Sequence, residues 1–403
     1  MQLDTSLVAS PWRDRLLVDA SGSTRPDQFL VGLTGVRALA ALMVMSFHLF
    51  GLAVPRLLAF NIADWQITYH WLITCSWMGA NVFFVLSGFL VAIPFVRNIE
   101  GAAVPVQIIP YLVRRIRRVV PAYWFQIVAL CVVLHFTASL PGWQAIAMHF
   151  AFLQNFNQGY ASALNGVYWT LPTEFGYYLL LPLFAAIALQ FRFQMSAAWR
   201  VLSVLLIAFA IGYRVLAYDA ISEEGVGKKF FTLLQLPGLI DHFAIGMLLA
   251  GVYVRYASRI SSRWADGMML AGLLGIMAMM ASLDNVYLRY WNGHFLLFVG
   301  YTISACFIGL LVLGVAVAGS QSMSRALFAN TPMLYLGVIS YSLYLWHVPI
   351  QQWTMKLLDY FLVTGDRLGW LVAISVPLSI LAATISYWLI ERPFLSRRPR
   401  PGT

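Results

Sequence analysis

The stretch LVGLTGVRALAALMVMSFHLFGL, residues 30–52, carries one formal charge, Arg37, and one histidine, His48, in an otherwise apolar and small-residue run. An α-helix of about 20 apolar residues spans the hydrocarbon core of a bilayer, so this run reads as a membrane-crossing helix. Comparable runs recur at residues 72–96, 120–140, 168–190, 198–218, 230–255, 264–283, 294–319, 330–356 and 367–390. They are long and continuous, unlike the alternating segments of about ten residues that mark an outer-membrane barrel. The chain is therefore predicted to be all-α, a polytopic integral membrane protein with about ten transmembrane helices. No sizeable polar insert interrupts the series, which divides the chain into a segment 1–29, a membrane domain 30–394 and a basic tail 395–403.

Composition agrees. The chain is 61% hydrophobic and 10% charged, where soluble domains carry about 25% charge. A net charge of +10 would point to nucleic acid in a soluble protein; in a membrane protein it points to cytoplasmic loops, and no nucleic-acid partner is expected. Of the 26 Lys and Arg residues, Arg37 and Arg214 lie within spans. If the N-terminus is inside, Arg56, Lys228, Lys229, Arg289, Lys356 and Arg367 fall outside and the other eighteen inside. This positive-inside bias predicts that both termini are cytoplasmic. Cys75, Cys131 and Cys306 each sit in an apolar run, which reads as packing rather than a disulfide framework. The polar, mixed-charge first 28 residues lack the apolar core of a removable signal peptide.

Ionisable groups inside spans cost roughly 2.5–3.5 kcal/mol on insertion scales, so each is a functional candidate. Arg37 and His48 are eleven positions apart. That spacing returns them to within ~20° of one helix face, ~16 Å apart along the axis, with Arg37 toward the cytoplasm and His48 in the outer half. Glu174 lies about two turns below the outer end of the fourth span, and Tyr341, Tyr344 and His347 lie near the outer end of the ninth. His48 and Glu174 thus fall at similar depth, and an imidazole oriented by a carboxylate suits general-base activation of a hydroxyl. On the cytoplasmic side Arg114, Arg115, Arg117 and Arg118 precede the third span. They read either as positive-inside anchoring or, with Arg37, as a site for a multiply phosphorylated cofactor, because guanidinium forks bind phosphate bidentately. The predicted outer loop 141–167 has no Lys, Arg, Asp or Glu but carries Trp143, Gln154, Asn155, Asn157, Gln158, Tyr160 and Asn165, with Tyr168 and Trp169 following. Amides and aromatic faces suit sugars; the same aromatics also suit an interfacial belt.

These residues resemble the membrane-bound acyltransferase 3 family, which includes bacterial O-acetyltransferases of surface and exported glycans and macrolide acyltransferases. The similarity runs from Gly32 to Phe394. It rests on Gly32-Leu33-Thr34-Gly35-Val36-Arg37 followed by His48, Phe83-Phe84-Val85-Leu86-Ser87-Gly88-Phe89, Arg114-Arg115-Ile116-Arg117-Arg118-Val119-Val120-Pro121-Ala122-Tyr123, Trp169-Thr170-Leu171 with Glu174, Ile339-Ser340-Tyr341-Ser342-Leu343-Tyr344-Leu345-Trp346-His347 and Glu391-Arg392-Pro393-Phe394, in the family's order. Asn81 stands where the family commonly has an acidic residue, and Thr173 and Phe175 break its usual pattern around the glutamate.

The resemblance implies an O-acyltransferase with no permanent cofactor and no metal, using acyl-CoA, in particular acetyl-CoA, as co-substrate. Its phosphates would lie on Arg37 and the arginine cluster, with His48 and Glu174 catalytic, and Ser87, Tyr123, Trp169, Tyr341, Tyr344 and His347 lining the substrate path. The acceptor would be a glycan or lipid-linked sugar at the outer face of a bacterial inner membrane, or a small molecule such as a macrolide. The family's frequent esterase-like C-terminal domain is not found, which leaves transfer to the membrane domain. A secondary transporter also fits the composition, but it would show related halves with paired broken helices, and no such repeat is visible.

Overall fold

A computed structural model describes residues 30–52, 59–62, 65–68, 70–101, 105–191, 194–363 and 365–395. The predicted cytoplasmic segment 1–29, most of the basic tail, and Arg56 and Arg192 of the charge count lie outside them. Among the described residues, nine helices are long and apolar enough to cross a membrane, or ten if one bent pair is a single span. They are α1 (Val31–Leu52), α2 (Gly79–Ile99), α3 (Ile108–Phe136), α4 (Thr170–Gln190), α5 (Met195–Ala220), α6 (Leu236–Tyr256), α7 (Ser262–Asn285), α8 (Phe295–Ala316), the bent pair α9 (Thr331–Val338) and α10 (Ser340–Tyr360), and α11 (Arg367–Ser386). The expected all-α membrane architecture is therefore present. Besides short connecting helices, a short antiparallel hairpin between α1 and α2 pairs β1 (Ala59–Ile62) with β2 (Trp65–Thr68).

The solvent on the outside of this bundle is lipid. α5 leaves Val201, Leu205, Phe209 and Leu216 more than half exposed, a pattern that water would penalise and acyl chains do not. α2 is the opposite case, buried nearly all round by α1, α4, α6 and α8. Backbone proximity makes this packing tight. A Cβ on Gly88 would lie 2.4 Å from the Phe243 carbonyl oxygen, and one on Gly246 would lie 2.5 Å from the Val85 carbonyl oxygen. Small residues at such crossings replace the hydrophobic drive that lipid removes with van der Waals contact.

Two prolines tie the helices around the site. Proline has no N–H, so the carbonyl four residues earlier loses its helical donor. Pro349 frees the Leu345 carbonyl, which accepts from Gln126 Nε2 at 2.6 Å and Asn165 Nδ2 at 2.9 Å. Pro182 frees the Tyr178 carbonyl, which accepts from the Tyr111 hydroxyl at 3.0 Å. A deficit in each helix thereby becomes a link to its neighbour.

Two predicted spans differ in detail. The third was expected from residue 120, but α3 begins at Ile108 and runs for 29 residues, ~43 Å, longer than the hydrocarbon core. Its basic first turns can therefore stand in the headgroup region while the rest crosses. The ninth, expected as one helix over 330–356, is broken at Ile339 with a 73° bend between α9 and α10.

Candidate active site

Because α3 starts early, Arg114–Arg118 form a helical run rather than a loop, and helical spacing divides them. Arg115 and Arg118, three apart and so on one face, line a partly open cavity, together with Arg37 of α1, Ser87 of α2, Glu174 and Tyr178 of α4, and Tyr341 and Tyr344 of α10. The cavity encloses about 110 Å³, and Phe83, Phe84, Leu86, Leu90, Val91 and Leu171 form its apolar wall. Arg114 is exposed and Arg117 half-buried, and neither lines it. The expectation of a four-arginine site thus narrows to two of the four plus Arg37.

Glu174 is the acidic centre of the cavity. Its Oε1 accepts from the Tyr178 hydroxyl at 2.5 Å and from Ser87 Oγ, and the Ser87 and Tyr178 oxygens are 3.4 Å apart. Tyr178 was not singled out from sequence, although it lies four residues after Glu174 on the same helix face. Arg115 stacks its guanidinium over the Tyr178 ring at 5.9 Å, and Arg118 lies over Tyr341 at 6.0 Å. Arg37 lies in the field of Glu174, Glu391 and Arg118. Among the described residues neither Arg37 nor Arg115 hydrogen-bonds a carboxylate, and the Nε of Arg115 is sealed without a partner. Unpaired guanidinium groups in a largely apolar cavity are costly to maintain, and they suit an anionic ligand.

The expected His48–Glu174 unit is not formed. Glu174 is engaged with Ser87 and Tyr178, while His48 pairs with His347, whose Nε2 lies 3.2 Å from His48 Nδ1. The hydrogen bonds set the tautomers. His347 Nδ1 lies 3.0 Å from the Leu343 carbonyl and so carries the proton there, leaving Nε2 as an acceptor. His48 Nδ1 then donates to it and to the Val44 carbonyl at 2.9 Å. This leaves His48 Nε2 unprotonated and without a hydrogen-bond partner among the described residues. Tyr344 connects the pair to the cavity: its ring lies 5.9 Å from His347, its hydroxyl is 2.7 Å from Thr170 Oγ1, and it lines the cavity wall. Sequence set Glu174 at the depth of His48, but the structure places it in the cavity with Arg37, in whose field it lies, and leaves His48 beside His347.

Two other expected substrate contacts, Tyr123 and Trp169, do not line the cavity. Tyr123 is fully buried and its hydroxyl accepts from Gln154 Nε2 at 3.2 Å. Trp169 packs edge-on against Phe84 and Phe230. Some amides of the 141–167 loop also turn inward, Gln154 donating to the Tyr168 carbonyl and Asn155 to the Trp169 carbonyl, while Asn157 and Gln158 are exposed. Gln154, Asn155 and Asn165 fasten the loop to α3, to the start of α4 and to α10. Missed from sequence was the role of Glu391, which pairs with Arg118 at 3.3 Å.

Residues 30–392 match an acyltransferase domain family. The chain is 26% identical over 390 residues to the O-acetyltransferase OatA of Staphylococcus aureus, covering 91% of this chain and 57% of that protein. It is 24% identical over 396 residues to the putative peptidoglycan O-acetyltransferase YrhL of Bacillus subtilis, covering 92% and 55%. With the peptidoglycan O-acetyltransferase OatA of Listeria monocytogenes it shares 23% over 388 residues, covering 91% and 56%. The chain thus spans a little over half the length of these relatives. No solved structure matches. With the family's domain covering nearly the whole membrane bundle, the chain belongs to the acyltransferase 3 family.

Proposed function

We propose that this protein transfers an acyl group, acetyl in the first instance, from cytoplasmic acyl-CoA to a hydroxyl of a glycan at the outer face of a bacterial cytoplasmic membrane, with both termini in the cytoplasm. One observation carries the reading: Arg37 and Arg115 line a cavity without hydrogen-bonded carboxylate partners, and its wall residue Tyr344 packs on His347, which in turn holds His48, the histidine with a bare ring nitrogen. The guanidinium groups suit the phosphates of the nucleotide end. The ~16 Å along α1 between Arg37 and His48 suits an extended thiol-bearing arm.

In the reaction, His48 Nε2 takes the proton of the acceptor hydroxyl as its oxygen attacks the thioester carbonyl. The C–S bond then breaks, the imidazolium returns the proton to the departing sulfur, and the products are the ester and free CoA. His347 holds His48 in the tautomer this requires. Glu174, with Ser87 and Tyr178, supplies the counter-charge beside Arg37. The activity for which the relatives are named makes peptidoglycan the first acceptor to test. Purified protein in lipid nanodiscs, given acetyl-CoA and a muropeptide, should form O-acetylated product detectable by mass spectrometry, and a well-folded His48→Ala variant should form none. Acetyl-CoA that neither binds nor turns over with any glycan fragment would exclude the reading.

A further inference from the structure

The Glu391-Arg392-Pro393-Phe394 ending has no role in the chemistry above, yet its first residue is among the most deeply buried charges in the molecule, 1% exposed. α11 does not continue as an α-helix to reach it. Residues Tyr387–Glu391 form a π-helical turn, closed by the Arg392 N–H on the Tyr387 carbonyl. Such a turn inserts one residue into the helical register and re-aims the side chains at its C-terminal end. There, Glu391 Oε1 accepts from Ser342 Oγ at 2.5 Å, and Oε2 faces Arg118 Nη1 at 3.3 Å. Ser342 Oγ also lies 2.9 Å from Ser386 Oγ of α11, which links the hydroxyl that holds the carboxylate to that helix. Arg118 lines the cavity, where Arg37 and Arg115 would repel it.

We infer that Glu391 is the positioning residue for Arg118: held by Ser342 and delivered by the π turn, it fixes one guanidinium against two others so that all three face the phosphates of an incoming acyl-CoA. This deepens the proposed donor site and rests on it. Glu391 touches no reacting atom, so its loss acts on donor binding through Arg118 and not on the acyl-transfer step.

The test compares wild type with Glu391→Gln, Arg118→Gln and the double variant in nanodiscs, using acetyl-CoA and the phosphate-free thioester S-acetylpantetheine. With acetyl-CoA, Glu391→Gln should raise KM about tenfold, as expected for a displaced charge-assisted contact, with kcat within about twofold. With S-acetylpantetheine, it should match wild type. The double variant, which leaves no unpaired buried charge, should match Arg118→Gln, and this holds the test open if Glu391→Gln alone folds poorly. Equal loss with both thioesters would reduce Glu391 to a structural role. A wild-type KM in Glu391→Gln beside a raised one in Arg118→Gln would reject the positioning role alone. A wild-type KM in Arg118→Gln would reject the phosphate site itself.

Discussion

At the residue scale, the informative difference is which partner each titratable group found. His48 and Glu174 fall at similar predicted depth, but His48 reaches His347 and Glu174 reaches Ser87 and Tyr178. A neutral histidine can orient another only if its own proton is committed elsewhere, and the Leu343 carbonyl commits it. His347→Leu should therefore lower kcat/KM about 10²-fold, the lower end of what a positioned base contributes. His347→Gln, whose amide oxygen can still accept from His48 Nδ1, should retain most of the activity. Because the two imidazoles act as a unit, His48→Ala combined with His347→Leu should be little worse than His48→Ala alone. Steady-state kinetics on folded protein checks all four variants; full activity in His347→Leu would remove His347 from the mechanism.

Elements position these residues by close backbone approach and by buried polar links, and both can be tested through stability. Gly88 and Gly246 bring α2 and α6 together beside Ser87, and a larger side chain would have to part them. Gly246→Val should cost roughly the 1–3 kcal/mol of an overpacked core, seen as a lower melting temperature in detergent; an unchanged melting temperature would show that the crossing has slack. Away from the cavity, Arg214 of α5 is fully buried, bound to Asp241 Oδ2 at 2.9 Å, Thr302 Oγ1 at 2.7 Å, and the carbonyls of Phe298 and Gly238 at 2.7 and 2.6 Å. Asp241 also accepts from His242 Nδ1 at 2.8 Å. Each guanidinium nitrogen is engaged, so this ion pair holds α5, α6 and α8 together and has nothing to offer a ligand. Arg214→Met should cost about 3–5 kcal/mol by leaving a buried charge unpaired, and adding Asp241→Asn should recover much of that. Thermal melts of single and double variants decide it, and a double variant no better than Arg214→Met would refute the pairing explanation.

For the whole molecule, the orientation in the bilayer follows from charge alone, since the bundle would look the same inverted. The bias of arginine and lysine predicts that the 141–167 loop faces outward and the turn between α8 and α9 inward. Gln158 and Gln321 are both exposed and suit the comparison. In a cysteine-free background, an impermeant thiol reagent added to intact cells should label Gln158→Cys and spare Gln321→Cys until the membrane is opened. The reverse pattern would invert the molecule and with it the donor and acceptor sides.

Lipid solvation acts locally, and its consequences were legible in the chain alone: apolar runs long enough to span, their order, and the cost of Arg37, His48 and Glu174 within them. Those terms depend only on near neighbours in the chain, so they survive without a structure. The bend at Ile339, the division of the arginine run into a cavity-facing pair and an outer pair, and the partners of His48, Glu174 and Glu391 depend on how helices rotate about their axes and which faces meet. Lipid is as apolar as leucine and exerts little preference over that rotation. It is decided by close packing at small residues such as Gly88 and Gly246 and by hydrogen bonds between distant segments, such as Gln126 and Asn165 on the Leu345 carbonyl. Those contacts exist only once the bundle has assembled, which is why the tertiary structure alone could pair His48 with His347.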